Sequence, residues 1–254
     1  VTGYKTGGTA TRSANPENFR NGFEPEDVIS YELGMKGRFL DGRIELNSAL
    51  FYLEIDGFQT SVQTGTTPGD RDFIGVDGTK IAGLEMDFTM AVTEALIARI
   101  NYGLLYTDHG ESSVTIKDDS GADKTYQLTK RLAYAPRHSG SISLDYFTNL
   151  TDRLDMAAYL GYNFQTDMVT SVNLDDTATM AFRGLVDANL SLMTSDTLGI
   201  PGQWTLAAFC KNLLDKEYMV TQLSAFDFAG VQEQGVFGEP RTFGMSLTYQ
   251  WGGN

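Results

Sequence analysis

The sequence predicts an all-β protein, an antiparallel transmembrane β-barrel with short turns at one end and long loops at the other. Three observations lead to this prediction. Apolar and polar residues alternate in many segments, the connections between these segments alternate in length, and the composition favours strands and turns. The chain of 254 residues contains 27 Gly, 12 Tyr and 15 Phe but only 6 Pro, a mixture that suits many strands separated by turns.

The alternation has a period of two residues, so each such segment has an apolar and a polar face. In residues 154–164, for example, Leu154, Met156 and Leu160 share one face while Asp155 and Asn163 share the other. On this pattern ten strands are predicted, near residues 1–6, 27–39, 43–60, 79–92, 96–108, 137–148, 154–168, 181–194, 203–214 and 241–251.

The predicted connections also alternate, between short turns and segments of roughly 12 to 28 residues. Asp41-Gly42 is a strong hairpin signal within the first short turn. Tight turns on one side and long loops on the other are typical of transmembrane barrels. A soluble β-sandwich is the alternative, although in that fold short and long connections need not be separated onto opposite ends of the sheet. The long segments lie at 7–26, 61–78, 109–136, 169–180 and 215–240.

Charge and cysteine content exclude several functional classes. Asp and Glu number 33 against 19 Lys and Arg, a formal charge of −14, which argues against nucleic-acid binding. No run of 18 residues lacks a charge, so a transmembrane helix is excluded. With Cys210 as the single cysteine and two histidines, neither an internal disulfide nor a Cys/His metal site is expected, and no cofactor is implied.

Six short motifs occur in a fixed order along the chain. They are Gly3-Tyr4-Lys5-Thr6-Gly7-Gly8, Phe23-Glu24-Pro25-Glu26 leading into Ser30-Tyr31-Glu32-Leu33-Gly34-Met35-Lys36, Asp41-Gly42-Arg43, Phe51-Tyr52 with Gln59, Lys211-Asn212-Leu213-Leu214-Asp215-Lys216-Glu217-Tyr218, and Gly238-Glu239-Pro240-Arg241. Each motif is short, but the ordered set is specific. It resembles the C-terminal half of the β-barrel of TonB-dependent outer-membrane receptors, over essentially the whole chain.

The resemblance implies a barrel of about 22 strands that encloses an N-terminal plug. Because ten strands are predicted here, and neither plug nor TonB-binding segment is seen, we expect a C-terminal fragment that carries strands thirteen to twenty-two. Val1 in place of a starting Met fits either a removed signal peptide or a piece of a longer chain.

The resemblance also implies function and partners. The whole protein would take up a scarce nutrient, a ferric siderophore or a similarly large solute, with energy from TonB. The expected partners are outer-membrane lipid, the TonB complex through the missing N-terminal part, the barrel assembly machinery and an extracellular small molecule.

The last predicted strand resembles the signal by which outer-membrane barrels are recognised for insertion, at Thr242, Gly244, Leu247, Tyr249 and Trp251. In the family an aromatic residue commonly ends the chain, whereas three residues follow Trp251 here. Pro240 precedes this strand at a place where no ladder hydrogen bond need be donated.

Other residues have expected structural roles. Asn212 is expected where a strand gives way to a loop, and Asp215 is expected to cap the turn that follows. Charges are expected on the barrel's inner face, because Lys or Arg on the lipid face costs roughly 2 to 4 kcal/mol at the membrane midplane. The charged residues placed there are Glu32, Lys36, Arg38, Glu85, Asp87 and Arg99.

Two enzymatic or metal-binding hypotheses are weighed against simpler ones. Ten-stranded outer-membrane proteases use an acidic pair with an Asp-His pair, for which Asp175-Asp176 and Asp108-His109 are the candidates. Solvated acidic loops explain both pairs more simply, and the protein is predicted not to be an enzyme. A hard cation could bind the carboxylates of Asp70, Asp72 and Asp77, but solvent-exposed loop positions are favoured. His138 is interpreted as a hydrogen-bonded residue at a strand start.

Ligand contacts are expected on the long loops, which carry aromatic residues on a rigid scaffold. The candidate segments are 109–136, with Tyr126, and 215–240, with Tyr218, Phe226, Phe228 and Phe237. Aromatic packing within a loop explains these residues equally well, and no ligand is named. Two rival functions stay open: a self-contained ten-stranded outer-membrane barrel, such as a protease, and a soluble β-sheet binding protein.

Overall fold

The main structural feature is one large antiparallel sheet. The computed structural model describes residues 1–64, 70–172, 179–195, 202–223 and 234–251. Ten strands in these ranges form the sheet, in the order in which they occur along the chain. They are β1 (Thr2–Lys5), β2 (Glu26–Phe39), β3 (Ile44–Asp56), β6 (Thr79–Ala91), β7 (Leu96–Asp108), β10 (His138–Thr151), β11 (Leu154–Gln165), β14 (Arg183–Ser195), β15 (Gln203–Lys211) and β18 (Thr242–Gln250).

All ten predicted strands are confirmed, with ends that differ by a few residues. The largest difference is at the predicted strand 43–60, which breaks at Gly57. Gly57 has a φ of 68°, and a side chain at this position would meet the carbonyl oxygen of Pro25 at 2.6 Å. The chain can therefore turn away from the sheet here only with glycine.

The turns at one end of the sheet are tight, as predicted. Between β2 and β3, the residues Leu40, Asp41 and Gly42 have φ values of 53°, 54° and 86°. Left-handed residues of this kind let a short connection reverse the chain in register with the strand twist. The side chain of Arg43 then donates hydrogen bonds to the carbonyl oxygens of Ala91 and Val92, which joins two neighbouring turns.

The segments at the other end are not simple loops, which corrects the sequence-based prediction. Four of the five long segments contain a two-stranded hairpin of their own. The fifth contains the helix α1 (Pro16–Asn21), whose first turn is capped by the side chain of Asn15. The hairpin strands are β4 (Phe58–Gln63) with β5 (Arg71–Val76), β8 (Ser113–Lys117) with β9 (Asp123–Gln127), β12 (Met168–Val169) with β13 (Thr179–Met180), and β16 (Met219–Leu223) with β17 (Gln234–Phe237).

The apolar core lies between two of these hairpins, beyond the end of the large sheet. Val62, Ile74, Val76, Tyr126 and Leu128 form a buried cluster, and Phe58, Val114 and Ile116 pack against it. The sheet itself leaves large apolar side chains exposed along one face. No helix in the described ranges has the length and apolar character needed to cross a membrane.

Candidate functional site

The register of the sheet places an uninterrupted apolar surface on one face. Leu33, Leu50, Leu84 and Leu104 are directly paired across four neighbouring strands, so their side chains share a face. From β2 to β18 this face carries no Asp, Glu, Lys or Arg over the central part of the described strands. Charges follow only toward the loop end of the described strands, at Asp27, Glu54, Asp56, Lys80 and Asp108. Such a band is what lipid contact requires.

The opposite face carries the charges. Lys36, Asn47 and Asp87 are paired directly across β2, β3 and β6, and the ladder continues into Asn101 and Ser141. All six charged residues assigned to this face from the sequence lie on it by register. Two of them form ion pairs within the face, Arg38 with Glu45 at 3.2 Å and Arg99 with Asp145.

Helix α1 fastens two hairpins together at the loop end. The side-chain amide of Asn15 donates to the carbonyl oxygen of Asp118 at 2.8 Å. The amide of Asn18 donates both to the carbonyl oxygen of Lys117, at 2.8 Å, and to the carboxylate of Asp72, at 3.0 Å. The helix thereby joins the tip of the β8–β9 hairpin to strand β5.

Asp72 is a buried carboxylate, not the solvent-exposed loop residue that was favoured from the sequence. Its side chain is 2% exposed, and its Oδ2 also accepts a hydrogen bond from the hydroxyl of Thr64 at 2.8 Å. Asp77 instead accepts from the backbone N–H of Gly57. In the described part of the chain, no group of three His, Cys, Asp or Glu side chains is placed to hold a metal ion.

His109 is fully buried behind the end of β7, with an exposed fraction of 0%. Its ring packs edge-on against Phe58, with 5.4 Å between ring centroids. Neither ring nitrogen has a hydrogen-bond partner within the described ranges. Burial lowers the pKa of His109 below the usual value, and the charge of Asp108 only partly opposes this effect. A neutral imidazole is therefore held in an apolar site.

This geometry does not support the proposed Asp-His catalytic pair. The carboxylate of Asp108 accepts a hydrogen bond from the backbone N–H of Gly110 at 3.0 Å and makes none to the ring of His109. A carboxylate that does not bond to the imidazole cannot orient it as a base. The second candidate pair, Asp175-Asp176, lies outside the described residues.

The aromatic residues proposed as ligand contacts fall into different environments. Tyr126 is 2% exposed and belongs to the apolar core between the β4–β5 and β8–β9 hairpins. These two hairpins and helix α1 form a loop cluster, and packing within this cluster explains the position of Tyr126. Tyr218 is half-buried, with the guanidinium of Arg183 over its ring at 5.4 Å. Phe237 is 63% exposed beside Tyr218. Phe226 and Phe228 lie outside the described residues.

Tyr134 joins separate loop segments, a role that was not predicted from the sequence. Its hydroxyl donates to the carbonyl oxygen of Gln222 at 2.8 Å, and its backbone N–H donates to the carbonyl oxygen of Val169 at 2.8 Å. Its φ is 55°, a strained value for a bulky residue that these two bonds hold in place. Nothing in the local sequence marks this role, because both partners are distant in the chain.

Asn212 lies directly after the end of β15, which confirms its predicted position where a strand gives way to a loop. Asn212 has a φ of 49°, and its buried amide donates to the carbonyl oxygens of Lys216 and Glu239. Asp215 does not cap that turn, which corrects the expectation. Its carboxylate instead accepts a hydrogen bond from the backbone N–H of Arg241 and pairs with the same residue's guanidinium at 3.7 Å. Both contacts bring the start of β18 to the end of β15.

His138 and the residues of the final strand lie where the sequence placed them. His138 begins β10, and its Nδ1 is 2.7 Å from the hydroxyl of Tyr102. In β18, Leu247 and Tyr249 lie on the apolar face, and Thr242 and Gly244 lie on the polar one. The ring of Tyr249 packs in tilted geometry against both Trp204 and Trp251, with centroid distances of 4.5 and 6.3 Å.

A sheet with these two faces, tight turns at one end and hairpins at the other can be compared with known proteins. The family model for the β-barrel of TonB-dependent receptor-like proteins matches residues 2–213. This chain belongs to that family. Its members are outer-membrane β-barrel proteins, so the apolar band faces lipid. The activity of the family is transport, not catalysis.

Individual relatives agree with this assignment. The ferric-pyoverdine M114 receptor of Pseudomonas sp. strain M114 is 27% identical over 224 residues, which cover 86% of this chain and 24% of the relative. The ferric yersiniabactin uptake receptor of Yersinia pestis shares the fold, with a TM-score of 0.67 and 16% identity over 97% of this chain and 33% of that one. The ferric preacinetobactin receptor of Acinetobacter baumannii gives a TM-score of 0.64 and 17% identity over 98% of this chain and 33% of that one. The chain thus spans about a quarter of the length of the ferric-pyoverdine M114 receptor and about a third of these two structures.

Proposed function

We propose that this chain is the C-terminal portion of the barrel of a receptor that takes up a ferric siderophore with energy from TonB. The plug and the TonB-binding segment would belong to the remainder of the protein, as in the family resemblance. The relatives named above are receptors for ferric pyoverdine, ferric yersiniabactin and ferric preacinetobactin, which favours an iron chelate over a vitamin or a glycan.

The observation that carries this proposal is the pair formed by Arg183 and Tyr218 at the loop end. Arg183 begins β14 on the polar face, directly opposite Gln165 in the strand register. Its guanidinium donates a hydrogen bond to the side-chain oxygen of Gln165 at 2.8 Å. Its guanidinium lies over the ring of Tyr218. A cation of this kind binds oxygen-rich chelates by charge-assisted hydrogen bonds, and the aromatic ring adds apolar contact.

Growth and uptake measurements test the proposed function. A strain that lacks the full-length receptor is supplied with one iron chelate at a time, and uptake of radioactive iron is measured with and without the restored gene. We expect the restored gene to rescue uptake of one class of chelate, and we expect this uptake to depend on TonB. Normal uptake of every chelate by the deletion strain would contradict the proposal.

Variants then locate the ligand contact. Arg183→Gln and Tyr218→Ala are expected to reduce uptake about tenfold, as loss of a charge-assisted contact would. Arg38→Gln is the matched control, because Arg38 lies on the same face at the turn end, paired with Glu45. Equal loss in all three variants would show a folding defect and not a binding role.

We also propose that β18 carries the signal for insertion by the barrel assembly machinery, at Thr242, Gly244, Leu247, Tyr249 and Trp251. Tyr249→Ala is expected to lower the amount of receptor assembled in the outer membrane. The neighbouring Thr248→Ala, on the opposite face, is expected to leave assembly unchanged. The measurement is the heat-resistant folded fraction on gels, and equal assembly of both variants would argue against the signal.

A further inference from the structure

We propose that the cleft beneath Arg137 binds the phosphate of an outer-leaflet lipid headgroup. The cleft, of about 270 Å³, lies where β7, β10 and β11 end and the hairpins begin. Arg131, Arg137 and His138 contribute to its walls. Asp167 also lines the cleft and forms an ion pair with Arg131, which leaves Arg137 as the cation available to an anion.

The guanidinium of Arg137 lies against a tyrosine of the membrane-facing side of the sheet. Its carbon atom is 5.7 Å from the ring centroid of Tyr106. Tyr106 belongs to the apolar face, because it pairs with Ala82 within the charge-free band. The ring of His138, bonded to the hydroxyl of Tyr102, lies on the same face.

The width of a membrane places Tyr106 at its border. The apolar band of a barrel is about 25 Å tall, and a strand tilted by about 40° advances roughly 2.5 Å per residue along the membrane normal, so about ten residues cross the band. On β7 the apolar face begins at Leu96, beside the short turn. Tyr106 follows it by that distance, which puts the guanidinium above it at the level of the headgroups.

The donors of Arg137 are free to bind an anion. Within the described ranges Arg137 has no side-chain hydrogen bond or ion pair, whereas the neighbouring Arg131 is bound to Asp167 at 2.8 Å. A guanidinium presents five N–H donors, and its fork matches phosphate oxygens. Stacking on Tyr106 holds the fork in place without using these donors.

The adjoining part of the rim repels anions, which confines the site to this cleft. Asp27 and Asp56 are directly opposed across β2 and β3. Lys80 is the cation on that part of the face, and the strand register places it between two carboxylate residues, Glu54 on one neighbouring strand and Asp108 on the other. A phosphate would therefore be attracted at Arg137 and not at Lys80.

Native mass spectrometry of the full-length receptor tests the site. The receptor, in an uncharged detergent, is titrated with phosphatidylglycerol and with an uncharged diacylglycerol. We expect retention of phosphatidylglycerol alone, and about tenfold weaker retention in Arg137→Gln, as loss of a charge-assisted contact would give. Lys80→Gln, the matched control, should bind like the unaltered receptor.

Two further arms can overturn the proposal. Arg137→Lys keeps the charge and should retain most of the lipid, so equal loss in the Gln and Lys variants would show that the charge is not what binds. Inorganic phosphate is added as a competitor. If it occupies the site with the same dependence on Arg137 and displaces the lipid fully, the occupant is free phosphate and the lipid assignment is wrong.

Discussion

The side-chain amide of Asn18 donates a hydrogen bond to the buried carboxylate of Asp72 across 3.0 Å, from helix α1 to strand β5. The two residues lie 54 positions apart in the chain, so this contact joins segments that neither local sequence nor hairpin geometry brings together. It closes the loop cluster over the apolar core formed by the β4–β5 and β8–β9 hairpins.

Removing this contact should loosen the loop cluster without unfolding the barrel. For Asn18→Ala we expect a local loss of about 1 to 3 kcal/mol, because the carboxylate of Asp72 would stay buried with one partner fewer. Hydrogen exchange in residues 113–127 should become correspondingly faster. Asn149→Ala removes an exposed amide-carboxylate contact with Asp155 at the turn end and should leave this segment unchanged. Unaltered exchange in the Asn18 variant would contradict the coupling.

His109 should make the loop cluster sensitive to acid. Because its pKa in the folded protein is lowered by burial, the unfolded segment binds more protons, and stability falls as pH drops below the ordinary histidine pKa of about 6.5. Exchange in residues 113–127 should therefore accelerate between about pH 7 and pH 5. His109→Leu should abolish this change, whereas the same substitution at His138, the chain's second histidine, should preserve it. An acid response that survives in His109→Leu would assign it to other groups.

The two faces of the sheet predict opposite effects for one substitution at neighbouring positions. Ile142 lies on the apolar face, paired with Ile100, and Ser141 lies on the polar face, paired with Asn101. Ile142→Arg should cost roughly 2 to 4 kcal/mol in a bilayer, and Ser141→Arg much less. Unfolding by urea in lipid vesicles measures both, and equal destabilisation would show that the faces are assigned incorrectly.

Asn212 should be required for the connection between β15 and β18. Its buried amide bonds two backbone carbonyl oxygens, and its backbone lies in the left-handed region. Asn212→Ala loses both features and should destabilise this connection by about 1 to 3 kcal/mol. Asn212→Gly restores the backbone freedom alone and should recover only part of the loss. Urea unfolding of the two variants gives the comparison, and full recovery in the glycine variant would mean that the amide bonds are dispensable.

The sheet could be predicted from the sequence because its signal is local. Alternation fixes which residues of β7 share a face, and Asp41-Gly42 fixes a turn, without knowledge of any distant residue. The hairpins of the loop end depend on distant contacts, such as that between Val62 and Tyr126 in the shared core. One local signal for them was present: the run from Asp118 to Gly121 is a turn sequence between two short strands. Asp72 and His109 could not be predicted, because an acidic or basic residue in a loop is ordinarily solvated.

The attachment of α1 to the β8–β9 hairpin depends on the main chain of that hairpin. Asn15 and Asn18 bind the carbonyl oxygens of Asp118 and Lys117, and every amino acid supplies a carbonyl oxygen. Side chains at this tip can therefore change without loss of the attachment, except for Asp118 and Gly121, which shape the turn itself. The outer surface of this hairpin can thus diversify in sequence while its architecture is inherited intact.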